Sequence, residues 1–125
     1  MAYDSYTLLR IVRDGAVVTA TIANPPINLV TGELFAELAA LSVELAADAG
    51  VLVFVLKSAD PDFFLAHFDV QALIDMAGQP RSGTGDLLNN WHDMCNRFAG
   101  MDKLTIAQIE GRVGGGGAEL SMSFD

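Results

Sequence analysis

Residues that bind metals or form disulfides are scarce in this chain: it holds one cysteine, Cys95, and two histidines, His67 and His92. A lone cysteine closes no internal disulfide, which suits a reducing compartment, and its simplest role is buried packing, ahead of a reactive thiol. These three residues offer no metal-ligand spacing, so no metal is expected. Ser121 and Ser123 lack a histidine base, which argues against a nucleophilic triad. Positive charge is scarce as well: Lys and Arg number 7 against 16 Asp and Glu, a formal net charge of −9, with no basic cluster. The resulting field repels phosphate backbones, so nucleic acid is not an expected partner. No apolar run is long enough to span a bilayer. Residues 1–13 alternate polar and apolar instead of pairing a basic start with an apolar stretch, so no signal peptide is expected. A cytoplasmic protein is the expectation.

Apolar residues are plentiful, at 51% of 125 residues. That composition argues against disorder, and the length allows one compact domain burying roughly two-thirds of its unfolded surface. Some of this apolar surface is expected to meet another subunit or a missing segment.

Thr7 to Val12 and Ala16 to Ile22 are β-rich runs separated by Arg13, Asp14 and Gly15, a hairpin signal that Asn24, Pro25 and Pro26 terminate. From Thr31, which is placed to cap, Leu34, Leu38, Leu41 and Leu45 recur at helical spacing up to Asp48–Gly50. Val51 to Leu56 is a continuous apolar run, the pattern of a strand covered on both faces. Strand, helix and strand together predict a parallel crossover. Val70 to Ala77 reads as a short helix closed by Gly78, and Gln79 to Gly85 as a loop. Asp86 starts a helix through Phe98, with Leu87, Leu88, Trp91, Met94, Cys95 and Phe98 as its apolar stripe. Leu104 to Ile109 is the next strand, followed by a Gly-rich turn and a helix over Ala118 to Phe124 that Asp125 cuts short; a truncated sequence is the expectation.

Chemistry concentrates in that turn. Gly114 to Gly117 run into Ala118 and Glu119, so a strand gives way to glycines and then to a helix with an acid in its first turn. Glycines let the backbone take unusual dihedrals and let a ligand approach, while free amides at a helix start face whatever lies above them. Taken alone, the run is better explained as a tight turn with Glu119 complementing the helix dipole. No Lys-Ser/Thr follows the glycines, which argues against a nucleotide loop.

A second segment, Phe64-Leu65-Ala66-His67-Phe68-Asp69, follows the Val51 to Leu56 strand. The two segments, in this order and separation and with the Asn24 to Asn28 stretch before them, resemble the enoyl-CoA hydratase/isomerase (crotonase) family. The resemblance covers nearly the whole chain. It implies an α/β, crotonase-like (ClpP/crotonase) spiral of β-β-α units, with residues 1–125 as the N-terminal part of a single domain, truncated after the first half. It also implies an acyl-CoA thioester substrate, with coenzyme A entering as part of the substrate and no separate cofactor. Carried over by position, the backbone amides of Phe68 and Gly116 would bind the thioester oxygen, and Glu119 would be the general acid/base, tuned by partial burial. Pro26, Ile27, Asn28, Ala66, His67, Asp69, Val70, Gln71 and Gly115 would line the substrate channel, although Asp69 also reads simply as a helix cap. The family's homo-oligomers, trimers and dimers of trimers, would be expected for the full length.

His67 departs from the family pattern, which has glycine there. It reads either as a packed or exposed side chain or as a group reaching the thioester pocket. With Glu119 as its one visible carboxylate, the site suits proton shuttling better than hydration. The competing expectation is a non-catalytic fragment of the fold acting as a binding or assembly module.

Overall fold

A computed structural model describes residues 3–77 and 81–125. Strands β1 (Leu9–Asp14) and β2 (Val17–Ile22) form the expected hairpin. Asp14 pairs with Val17, leaving Gly15 and Ala16 as the turn, and Gly15 takes a φ of +61° that suits glycine. Helix α1 (Gly32–Ala47) begins where predicted: the Thr31 hydroxyl accepts the Leu34 N–H at 3.2 Å. Its apolar stripe of Leu34, Leu38, Leu41 and Leu45 is fully buried.

The chain returns as β3 (Val53–Ser58), parallel to β2. Its cover differs from the expectation of two buried faces. Phe54 and Leu56 are buried, whereas Val53 and Val55 are partly exposed. The parallel registers explain this, because Val17, Val53 and Leu104 line up across the sheet, as do Thr19, Val55 and Ile106. Val17, Leu104 and Ile106 are exposed, so no layer among the described residues seals that face.

After β3 come β4 (Phe63–Leu65), α2 (Val70–Ala77), α3 (Arg81–Ala99), β5 (Leu104–Ala107), β6 (Arg112–Val113) and α4 (Gly116–Met122). One sheet has the order β1-β2-β3-β5, and the other pairs β4 with β6. Strand, strand and helix thus recur as β1-β2-α1, β3-β4-α2-α3 and β5-β6-α4, an α/β spiral of β-β-α units. The core joins the α1 stripe to Trp91, Met94, Cys95 and Phe98 of α3, with Phe98 stacked on Phe54 at 5.8 Å.

Helix boundaries moved in two places. Helix α3 starts at Arg81 instead of Asp86, because extending a helix anchored by its buried half adds one hydrogen bond per residue and outweighs the weak propensity of Gly83 and Gly85. Helix α4 starts at Gly116 instead of Ala118, since Gly117 and Ala118 already donate to the Gly114 carbonyl. The predicted stop at Gly78, the loop residues Gln79 and Pro80, and the side-chain readings at Asp86, Leu87 and Leu88 lie outside the described residues.

Candidate active site

The two segments singled out in the sequence are neighbours in space. Strands β4 and β6 pair in parallel, Phe63 with Arg112 and Leu65 with Val113, and the Gly114 N–H continues the contact to the Leu65 carbonyl at 3.3 Å. The glycines that follow are held at close range. A Cβ on Gly117 would stand 2.5 Å from the Leu65 carbonyl oxygen, and one on Gly116 would stand 2.7 Å from the Phe68 ring. Gly115 has a φ of +50°, and its Cβ would meet that of His67 at 2.9 Å. Gly114 has open space around it. Three of the four glycines therefore answer a steric demand made by residues 65–68.

The orientation of the Phe68 amide follows from its neighbours' hydrogen bonds. Val30 donates its N–H to the His67 carbonyl at 3.0 Å and accepts the Asp69 N–H at 3.0 Å. In a trans peptide the N–H points opposite to the preceding carbonyl, so the Phe68 N–H faces away from Val30. Among the described residues it has no acceptor, and neither has the N–H of Gly116, which opens α4 and precedes any intrahelical partner. The Phe68 ring is fixed on the inner side, edge-on to the buried Trp91 at 4.6 Å. His67 does not disturb this arrangement: its φ is not positive, and Gly115 leaves room for its side chain.

Phe68 and Gly116 share a cleft of about 350 Å³ with His67, Gly115 and Glu119, walled on one side by Val70 and Leu73 of α2. Glu119 sits in the first turn of α4, with Oε2 4.0 Å from His92 Nε2 on α3. Its side chain is 52% exposed. Beneath it, burial pushes the Cys95 thiol up, opposed by a hydrogen bond with Ser123 and reinforced by the Glu119 charge, so the thiol is an inert core group.

The remaining expected residues divide between cleft and scaffold. Val70 lines the cleft. Ala66 is buried and donates its N–H to the Asn28 carbonyl at 3.0 Å. Asp69 caps α2, its carboxylate accepting the Gln71 N–H at 3.1 Å, and the Gln71 side chain turns along the helix to Asp75. Pro26, which follows a cis peptide bond, and Ile27 do not reach this cleft. Asn28 is 1% exposed, at φ +55°, and its side chain is engaged in hydrogen bonds. Its Nδ2 donates to Ser58 Oγ at 2.7 Å and to the Phe64 carbonyl at 3.0 Å, while its Oδ1 accepts the Asn24 N–H at 2.9 Å. Asn28 is thus the bracket that holds β4 at the right height. Sequence reasoning missed Val30 and Ser58, whose contributions are a backbone bridge and a single hydroxyl with no pattern to betray them. Among the described residues no cluster of His, Cys, Asp or Glu is fit to hold a metal, and no helix is long and apolar enough to cross a membrane.

A family model described as enoyl-CoA hydratase/isomerase matches residues 13–125. A relative from Bacillus subtilis (strain 168), described as a probable enoyl-CoA hydratase, is 30% identical over 110 residues, covering 88% of this chain and 42% of its own. A fatty acid oxidation complex subunit alpha from Shewanella loihica is 27% identical over 119 residues, covering 95% of this chain and 17% of its own. Among solved structures, an enoyl-CoA hydratase/isomerase from Marinobacter aquaeolei superposes with a TM-score of 0.83 at 26% identity, covering 94% of this chain and 47% of that one. The chain spans less than half the length of these relatives. Family match and shared fold together place the chain in the enoyl-CoA hydratase/isomerase family, as part of a crotonase fold.

Proposed function

We propose that this chain carries the thioester-binding half-site of an enzyme acting on enoyl-CoA substrates, with the Phe68 and Gly116 amides as an oxyanion hole and Glu119 as the proton-transfer group. One observation carries the reading: Phe68 and Gly116, whose N–H groups have no acceptor among the described residues, line the same cleft as Glu119. Moving a proton at the carbon next to a thioester builds negative charge on the carbonyl oxygen. Fixed donors at that oxygen stabilise the charge as it develops, each contributing about 3 kcal/mol. Coenzyme A enters as part of the substrate, with no separate cofactor. The protein works in the cytoplasm, where a free thiol at Cys95 is stable. It assembles as a homo-oligomer, and the open face at Leu104 and Ile106 supports this because such apolar surface gains from cover.

In the full-length protein bearing this sequence, Glu119→Gln is expected to lower kcat on an enoyl-CoA by roughly 100-fold or more with little change in KM. Loss of the enoyl chromophore measures it, and an unchanged rate in that variant removes Glu119 from the mechanism. Light scattering of the same protein reads the assembly; a monomer at micromolar concentration would rule out the oligomer.

A further inference from the structure

His67 stands beside the Phe68 amide with its ring nitrogens in unequal positions. Its Nδ1 lies 2.6 Å from the Phe68 carbonyl oxygen. A carbonyl only accepts, so Nδ1 must carry the proton, and the neutral ring then presents Nε2 as a bare lone pair. The side chain lines the same cleft as Phe68, Gly116 and Glu119. Gly115 links the two groups: a Cβ on it would stand 2.9 Å from the His67 Cβ, and its carbonyl accepts the Glu119 N–H at 3.2 Å.

We propose that His67 is a second substrate-side group of this site, a fixed acceptor that holds the water added to an enoyl-CoA. The proposal rests on the reading above and specifies hydration as its reaction. The Glu119 carboxylate takes one proton from the water as the water oxygen bonds to C3. The C2=C3 electron pair moves onto C2 and the thioester oxygen as an enolate held by the Phe68 and Gly116 amides. The enolate then re-forms the thioester carbonyl as C2 takes that proton from the Glu119 carboxyl. The product has gained H at C2 and OH at C3, and Glu119 is again a carboxylate. His67 transfers no proton; its Nε2 accepts the water's other O–H and so aims an oxygen lone pair at C3.

Three measurements on the full-length protein test this. Long-range proton–nitrogen spectra of 15N-histidine protein at mildly alkaline pH should show His67 protonated at Nδ1 and bare at Nε2; the opposite tautomer overturns the proposal. In crotonyl-CoA hydration, His67→Ala should lower kcat roughly tenfold, the worth of one hydrogen bond, with KM unchanged. Added imidazole should restore part of the rate, which a purely structural side chain would not allow. An unaltered kcat, a change confined to KM, or no rescue overturns the role of His67 and leaves the proposed function standing. A wild-type protein that isomerises but never hydrates also overturns the water-holding role alone, whereas one with no activity on any enoyl-CoA overturns the proposed function and this inference together.

Discussion

Single residues in this chain differ sharply in how replaceable they are, even within one run of identical glycines. Gly114→Ala should be nearly neutral, because open space surrounds its Cβ direction, whereas Gly117→Ala drives a methyl into the Leu65 carbonyl and should cost about 1–3 kcal/mol. Thermal unfolding of the two variants side by side measures the contrast. The sequence shows four equivalent glycines; which of them are required depends on residues 65–68, and the sequence carries no sign of that packing. Asn28 makes the same point. Nothing about its place after two prolines shows that its side chain is a buried bracket between three segments. Asn28→Gly keeps the positive φ available but removes the side-chain hydrogen bonds, and urea denaturation should show a loss of about 2–3 kcal/mol.

Elements were legible where local chemistry decides them. The β1-β2 hairpin and α1 follow from an Asp-Gly pair and from Thr31 with leucines at helical spacing, and both stand where expected. The short strands β4 and β6 were not legible, since two or three residues carry no periodicity and each exists only through the other. The anchoring of the first residues was equally hidden. Glu37 of α1 accepts the N–H groups of Thr7, Leu8 and Leu9, and Glu44 accepts the Tyr3 N–H and the Tyr6 hydroxyl, tying residues 3–9 to the helix. Glu37→Ala should speed amide hydrogen exchange at Leu8 and Leu9 and lower stability by roughly 1–2 kcal/mol. Unchanged exchange there would show that the strand pairing alone holds β1.

The whole molecule carries the consequences of its charge. Hydrogen bonds from the Tyr3 hydroxyl and the Gly50 N–H, with Arg13 alongside, hold the Asp48 carboxyl below its usual range. A carboxylate lowered in this way stabilises the fold above its unfolded value, and the contribution disappears as pH falls through the lowered one. Burial and the bonds to Asp48 and Glu44 push Tyr3 and Tyr6 above the usual tyrosine range, so their contribution persists to neutral pH and is lost in strong alkali. Asp48→Asn should therefore lower Tm at pH 7, with the gap to wild type closing as the solution is acidified. At net charge −9, and with no Lys or Arg among the residues lining the cleft, the chain would repel the proposed anionic thioester ligand from a distance. Added salt should accordingly speed acyl-CoA association until the Debye length shrinks to about 10 Å, near 0.1 M, as stopped-flow binding would show; slower association with salt would reveal a local cation that attracts the ligand.

The parallel contact of β4 with β6 joins residues that the chain separates by the whole excursion through α2, α3 and β5. Closing so long a loop gains nothing until its far end arrives, so non-local pairings of this kind form late. On a ribosome, the cleft would exist only after Val113 and the glycines beyond it had emerged, while the β1-β2 hairpin and α1 were already in place. Nascent chains halted before and after that point should therefore differ abruptly in protease resistance at Phe63 to Phe68, and the cleft would open for ligand in one step, at the end of synthesis of this segment.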